Sequence, residues 1–284
     1  MNSLEAQRRF YARFIAAKAG ISEPRIVDAF GSIRREQFVG KGPWSIQVGD
    51  GYISTDTDDP TVLYQDILVG LDLQQEINNG QPSLHAKCIG AALPQANEVV
   101  LQVGAGTGYY TAVLAHLVGP AGRVYAYEID EELALHAARN LVQFTTVTVH
   151  RESALEANLP SANVIYVCAG ATHVPLMWLD ALAIGGRLVL PLTTNEGPGC
   201  MLQVTRQSAS AYAARILCPA WFISCIGARC DESSRVIADA LETRSTDKVR
   251  SLRRGGDADE TAWCVGEGWW LSTAEPAGNS DDSE

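Results

Sequence analysis

The apolar positions change their spacing sharply near the middle of the chain. Residues 99 to 103 are apolar apart from Gln102, as in a buried parallel strand. Three glycines at alternate positions follow, and residues 109 to 118 then carry a helix-compatible apolar pattern that Gly119-Pro120 ends. Residues 123 to 129 resume the strand pattern. The stretch predicts one strand, turn, helix and strand unit with a right-handed crossover.

Similar patterns on either side predict an α/β domain around this unit. Helical spacing occurs over residues 3–19, 22–33, 81–93, 131–142 and 177–184. Further strands are predicted at residues 147–150, from residue 164, at 187–192 and 201–206, and within 213–226. Together they predict a mostly parallel, seven-stranded sheet whose last two strands form an antiparallel hairpin.

Composition divides the chain into four segments. Residues 1–95 hold N-terminal helices and a loop-rich stretch expected to cover the substrate, and residues 96–226 hold the α/β core. Residues 227–272 are an appended module with one helix and an aromatic, strand-like element. Its three tryptophans are expected to pack the module rather than to line a binding surface. Residues 273–284 are polar and acidic, and we expect them to be disordered.

Charge and cysteine content narrow the classes of function. The net charge of −11 argues against nucleic acid and anionic membranes as partners, because their phosphates attract an excess of cations that this chain lacks. No export signal or membrane-spanning stretch is evident, so we expect a cytoplasmic protein. The seven cysteines form no C-x-x-C pair, so neither a metal site nor a disulfide framework is expected.

The glycine turn and a downstream acid predict a nucleoside-containing cofactor. Glu128 follows the turn at about the 20-residue interval at which an acidic side chain binds ribose hydroxyls. A nicotinamide fingerprint needs a glycine at position 109, which is Tyr109 here. The order G-x-G-x-G instead resembles the first motif of Rossmann-like S-adenosylmethionine-dependent methyltransferases. The cofactor-binding residues expected in this unit are Gly104, Ala105, Gly106, Thr107, Gly108, Tyr109, Glu128 and Ile129.

Later strand ends and one helix start complete the candidate site. Glu152 and Ser153 follow the third strand and Ala169 the fourth, at the sheet edge where such folds bind ligands, and Glu152 or Ser153 could meet the adenine amino group. Ser83 and His85 lie near the start of the helix at 81–93, where partial positive charge suits a carboxylate. They are the candidate catalytic residues that would hold the acceptor. For His85, an ordinary surface or core histidine is the alternative.

Several motifs, in order over residues 4 to 226, resemble the protein-L-isoaspartate (D-aspartate) O-methyltransferase family. They are IRREQFV, GQPSLHAKCIGAAL, VLQVGAGTGYYTAVLAHLVG and AGATHVPLMWLDALAIGGRLVLPL. The resemblance implies a Rossmann-like class I methyltransferase fold and S-adenosyl-L-methionine as the methyl donor. It also implies carboxyl O-methylation of an aspartyl or isoaspartyl-type group in a protein, a peptide or a small acid.

The chain departs from this family at several positions. The Thr-Ile-Ser triplet that the family has before the helix proline is absent, and Asn78, Asn79, Gly80 and Gln81 stand there. Gln102 replaces a common acidic residue, and Glu152-Ser153 replaces a usual Gly-Asp. The chain also continues past the usual family length.

A carboxylate acceptor explains why no Ser-His-Asp or Cys-His constellation is evident. It is already ionised at neutral pH and needs no general base, so catalysis would come from in-line positioning and exclusion of water. Two alternatives remain open. One is O- or N-methylation of a small molecule, for which His85 or His173 would serve as the base. The other is a non-catalytic binding module on the same fold.

Overall fold

The computed structural model describes residues 3–195 and 197–276 of the chain. Residues 277–284, most of the segment for which the sequence predicts disorder, lie outside the described residues. The helices are α1 (Ser3–Ala19), α2 (Pro24–Ser32), α3 (Pro82–Ala92), α4 (Tyr109–Val118), α5 (Glu131–Asn140), α6 (Leu176–Ala181) and α7 (Asp231–Thr243). Short 3-10 turns occur at Arg35–Gln37, Pro60–Leu63 and Thr246–Lys248.

The strands alternate with these helices in the middle of the chain and follow one another elsewhere. They are β1 (Ser45–Val48), β2 (Gly51–Ser54), β3 (Gly70–Asp72), β4 (Ile77–Asn78), β5 (Val99–Val103), β6 (Arg123–Tyr127), β7 (Val147–His150), β8 (Ala162–Val167), β9 (Leu182–Leu192), β10 (Gly199–Arg206), β11 (Tyr212–Ala220), β12 (Ser251–Arg254), β13 (Ala262–Gly266) and β14 (Trp269–Ser272). The predicted strand, glycine turn, helix and strand unit corresponds to β5, α4 and β6.

The described residues divide into two compact units. Among the described residues, those within Met1–Glu98 and Ala105–Arg151 form the first unit, and those within Val99–Gly104 and Glu152–Glu284 form the second. In the first unit, β6 and β7 pair in parallel, and β1–β2 and β3–β4 form two small antiparallel hairpins. The stretch predicted as a loop-rich cover thus contains short strands.

Apolar faces of three helices contribute to the core of the first unit. Tyr11 and Ile15 of α1, Ile26 and Phe30 of α2, and Leu114 of α4 are all nearly inaccessible to solvent. Residues at the starts of α2 and α5 fix where these two helices of the first unit begin. Pro24 opens α2 behind a Glu23 cap, and the Asp130 carboxylate accepts a hydrogen bond of 2.9 Å from the Leu133 N–H at the start of α5.

The second unit is built on a sheet in the order β13-β14-β12-β11-β10-β9-β8-β5. Strands β5, β8 and β9 run parallel, and each later pair from β9 onward is antiparallel. The α/β class and the hairpin of β10 with β11 agree with the prediction. The antiparallel part is longer than predicted, because the appended module contributes three strands to the sheet.

Two other boundaries differ from the sequence prediction. Helix α6 ends at Ala181, and β9 begins at Leu182 instead of after Gly185-Gly186, because buried Leu182 pairs with Ala162 of β8. Strand β11 ends at Ala220, so residues 221–226 are not part of the predicted last strand.

The aromatic element of the appended module packs inside the second unit, as expected. Trp263, Trp269 and Trp270 are 1%, 2% and 7% exposed. No helix among residues 3–195 and 197–276 combines the length and apolar character needed to cross a bilayer.

Candidate functional site

In the first unit, the part of the glycine turn that follows Gly104 is hydrogen-bonded to the end of β6. The Ala105 N–H donates to the Tyr127 carbonyl at 3.1 Å. Gly106 and Gly108 have φ angles of +55° and +96°, which side-chain-bearing residues rarely adopt. A Cβ at Gly108 would lie 2.7 Å from Leu141, whereas one at Gly106 would meet nothing within 4 Å. Gly108 therefore serves packing, and Gly106 leaves its backbone open to a ligand.

Glu128 binds the backbone of this turn directly. Its carboxylate accepts hydrogen bonds from the Gly106 N–H at 2.7 Å and the Asp130 N–H at 3.1 Å. The side chain is 7% exposed. Burial raises the pKa of Glu128, and the backbone hydrogen bonds from Asp130 and Gly106 act in the opposite direction. Each oxygen keeps a free lone pair, so the carboxylate can also accept from ribose hydroxyls.

Thr107 and Tyr109 flank the same turn but differ in what their side chains do. Thr107 is 6% exposed, and its hydroxyl has no hydrogen-bond partner in the part of the chain that the structure describes. A buried unpaired hydroxyl is a position where a ligand atom fits. The Tyr109 side chain is instead buried in the core, where its hydroxyl lies 3.3 Å from that of Tyr11. Only the Tyr109 backbone is therefore left for cofactor contact.

A groove lies beside Asp130 in the first unit. It has a volume of about 420 Å³ and is bounded by the first turns of α5 and the β3–β4 hairpin. Asp130 and Leu133 line one side, and Leu71 and Ile77 line the other. Ile129, which the sequence analysis included in the cofactor site, is 47% exposed next to Glu128.

The start of α3 already holds a carboxylate of the chain itself. Ser83 donates to Asp66 through its N–H and its hydroxyl, both at 2.7 Å, and Gln81 adds a bond of 3.0 Å. Lys18 pairs with the same carboxylate at 2.7 Å. Burial favours a higher pKa for Asp66, but the hydrogen bonds from Lys18, Ser83 and Gln81 outweigh it and lower the pKa. The N–H and the hydroxyl of Ser83 thus already donate to Asp66. This carboxylate was not among the site residues predicted from the sequence.

His85 is a neutral core residue in this structure. It is 3% exposed and stacks on Tyr110 with ring centroids 3.6 Å apart. Burial, together with the charge of Arg35, lowers the pKa of His85 to about 3. A neutral, enclosed imidazole does not offer a positive charge to an acceptor carboxylate. The core alternative for His85 is the one that the geometry favours.

Arg35 connects the segments that shape this end of α3. Its guanidinium is fully buried and donates to the carbonyls of Leu63 at 2.9 Å and Ile67 at 2.6 Å. It also donates to the Asn79 side chain at 3.1 Å. These bonds fix the backbone on both sides of Asp66 and just before Gly80. The motif IRREQFV contains this arginine, but nothing in the sequence shows which carbonyls it binds.

In the second unit, Gly104 ends β5 next to the turn after β8. The Cys168 N–H donates to the Val103 carbonyl at 2.8 Å, and a Cβ at Gly104 would lie 3.7 Å from that of Ala169. The structure therefore brings Gly104 and Ala169 together. Gln102 is 1% exposed, and its side-chain oxygen has no partner among the described residues.

Glu152 and Ser153 lie in a turn of the second unit. Glu152 is exposed, and the Ser153 hydroxyl accepts a hydrogen bond of 3.2 Å from the Leu155 N–H. The Ser153 hydroxyl thus stabilises its own turn. The contact of these two residues with adenine stays a prediction.

Comparison with known proteins gives one consistent result. The family described as protein-L-isoaspartate(D-aspartate) O-methyltransferase matches residues 14–229. A protein-L-isoaspartate O-methyltransferase of Protochlamydia amoebophila is 31% identical over 217 residues, which cover 75% of this chain and 93% of that protein. Protein-L-isoaspartate O-methyltransferase 2 of Marinobacter nauticus is 35% identical over 210 residues, covering 72% and 86% of the two chains.

Solved structures show the same fold. A protein-L-isoaspartate O-methyltransferase aligns with a TM-score of 0.65 at 24% identity, over 82% of this chain and 68% of that one. A putative protein-L-isoaspartate O-methyltransferase from Plasmodium falciparum, solved with S-adenosyl-L-homocysteine, aligns with a TM-score of 0.62 at 16% identity, over 76% and 97% of the chains.

Proposed function

The chain belongs to the protein-L-isoaspartate (D-aspartate) O-methyltransferase family, and from this premise we propose that it methylates an isoaspartyl-type carboxylate in a protein or peptide. Family membership confirms the fold class, the enzyme class and S-adenosyl-L-methionine as the methyl donor. The substrate of this chain is the proposed part.

The residues present fit this donor. When bound, S-adenosyl-L-methionine supplies a methyl group on a positively charged sulfonium. The open backbone of Gly106 and the Glu128 carboxylate would hold its nucleoside, and the unpaired Thr107 hydroxyl beside them would bind a further polar group of the donor. The observation that supports the proposal is the hydrogen bond of 2.7 Å from the Gly106 N–H to Glu128, which holds the proposed ribose-binding carboxylate against the glycine turn.

A carboxylate acceptor agrees with the chemistry of the first unit. Such an acceptor is ionised at neutral pH and requires no proton transfer. His85, one of the two histidines considered as a base, is enclosed, and its lowered pKa of about 3 makes it a weak proton acceptor. The contribution of the chain is then to orient the acceptor and exclude water. We propose Ser83 and His85 as positioning residues for the start of α3.

Radiolabel transfer tests the proposal. The full chain is incubated with methyl-labelled donor and one of two peptides that differ only in an isoaspartyl or an aspartyl linkage. We expect label in the isoaspartyl peptide, and we expect mild base to release it, as a methyl ester requires. Base-stable label, or no label in either peptide while the donor binds, would contradict the proposed substrate.

A further inference from the structure

An uncharged apolar segment follows β11 in the second unit. Residues 220–228, AWFISCIGA, contain no ionisable group other than Cys225. Trp221 is 72% exposed, Ile226 is 70% exposed and Ile223 is 38% exposed. The hydrophobic pattern predicts that this stretch is buried in a strand, yet the structure leaves its large side chains in solvent. Three large exposed apolar side chains on one short segment are typical of an interaction site.

The backbone of this segment is firmly held. The Gly170 N–H donates to the Ile223 carbonyl at 2.7 Å, and the Cys225 N–H returns a bond of 2.8 Å to the Gly170 carbonyl. The Thr172 N–H donates to the Ala228 carbonyl at 2.9 Å. Within the segment, the side chains of Cys225 and Ala228 are buried. The exposed side chains are therefore presented by an ordered backbone, which reduces the entropy lost when a partner binds.

The segment lies at the ligand-binding edge of its own sheet. Gly170, to which it is bonded, directly follows Ala169, and Ala169 lies against Gly104 at the carboxyl end of β5. Ligands of open α/β sheets bind outside the carboxyl ends of the parallel strands. The apolar segment is thus continuous with the edge at which a methyl acceptor must arrive.

We propose that Trp221, Ile223 and Ile226 form a docking ledge for apolar side chains that flank the methylated residue in a protein substrate. This inference rests on the proposed function. The segment carries no charged side chain, so it favours apolar residues beside the methylated residue. Acidic flanking residues would be repelled, because the chain carries a net charge of −11.

A membrane surface fits this ledge less well than a protein segment. Interfacial binding needs cations beside the apolar residues. Arg229, the cation closest in sequence, donates to Gly170, Thr193 and Thr194 at 2.7 to 2.8 Å, so its guanidinium is committed within the unit. Binding of a second copy of the chain is an outcome that the experiment below detects.

Peptide kinetics test the ledge. Two isoaspartyl peptides are compared that differ only in their flanking residues, Val and Leu in one and Ser and Gly in the other. With the full wild-type chain we expect a KM at least about fivefold lower for the apolar peptide. The double variant Trp221→Ser, Ile226→Ser should lose this preference. The matched control Ile184→Ser removes a 65% exposed isoleucine near the amino end of β9 and should keep it.

Binding without turnover separates this inference from the proposed function. The other five tryptophans are buried, so Trp221 dominates changes in tryptophan emission when peptide is added with S-adenosyl-L-homocysteine. A blue shift with the apolar peptide, absent in Trp221→Phe, supports the ledge even if no ester forms. Three results would overturn the ledge: equal KM values of the wild type for both peptides, a preference for the apolar peptide that the double variant retains, or a blue shift that appears when the protein concentration is raised without peptide. Methylation without flank preference leaves the proposed function standing and refutes only the ledge.

Discussion

Removing the Glu128 carboxylate should weaken donor binding by a calculable amount. Glu128→Ala would delete the proposed acceptor for two ribose hydroxyls, and hydrogen bonds to a charged group lost in this way cost about 1.5 to 3 kcal/mol together. That range corresponds to a Kd for S-adenosyl-L-methionine raised about 10- to 150-fold. The same change leaves the N–H groups of Gly106 and Asp130 without their acceptor, so unfolding free energy should also fall by about 1 to 3 kcal/mol.

Calorimetry with two ligands separates these effects. S-adenosyl-L-homocysteine and an analogue without ribose hydroxyls are titrated into the wild type, Glu128→Ala and the control Glu242→Ala, which removes an exposed acid of α7. If Glu128 binds the ribose, the analogue binds the wild type more weakly, and Glu128→Ala no longer distinguishes the two ligands. A folded Glu128→Ala variant that still prefers the complete ribose by the wild-type factor would refute the assignment.

Three further predictions concern the start of α3. Because the pKa of His85 is lowered to about 3, the unfolded chain binds a proton that the folded chain does not, so stability present above about pH 6.5 is lost as the pH falls toward 3. Urea unfolding at several pH values between 7 and 5 measures this loss. The free energy of unfolding of the wild type should fall with decreasing pH more steeply than that of His85→Leu, by a difference approaching about 1.4 kcal/mol per pH unit, and equal slopes for the two proteins would disprove this. Gly80→Ala places a Cβ 2.4 Å from the His85 ring at a φ of +73°, whereas Gly40→Ala meets nothing within 4 Å at +72°. Calorimetric melting should therefore show Gly80→Ala less stable than Gly40→Ala by at least about 1 kcal/mol, and equal losses would contradict the contact. Asp66→Asn removes the charge paired with Lys18 and should cost about 1 to 3 kcal/mol of unfolding free energy, with kcat/KM for peptide falling while donor Kd is retained; a change in donor Kd alone would contradict its positioning role.

The cofactor unit could be predicted from sequence because its determinants are local. Its features all lie within one strand, helix and strand unit of the sequence: the apolar run at 99–103, the alternating glycines and Glu128. Their spacing identifies the turn. The structure adds that the Glu128 carboxylate also binds the Gly106 N–H, which spacing alone does not show.

The residues around α3 could not be predicted in the same way. Asp66 reaches Ser83 across 17 positions, and Arg35 reaches Asn79 across 44. Such contacts depend on how the chain returns to the helix, and no local pattern encodes that path. The sequence predicts that the helix start suits the carboxylate of an acceptor, whereas in the structure the Asp66 carboxylate accepts the hydrogen bonds there.

The second unit shows two limits of hydrophobic patterns. Leu182 of β9 begins a strand where the helical spacing predicts that the helix continues, since pairing with β8 outweighs local preference. The apolar residues after Ala220 read as a buried strand, yet Trp221 and Ile226 are exposed. A pattern of apolar residues cannot distinguish burial in the core from burial against a partner.

Tandem mass spectrometry of a methylated peptide shows which group of the substrate receives the methyl group. The full chain, the donor and an isoaspartyl peptide are incubated, and the fragments locate the added methyl group. We expect one methyl group on the α-carboxylate of the isoaspartyl residue, removed by mild base. A methyl group on nitrogen or on a hydroxyl, or an unmodified peptide with donor bound, would contradict it.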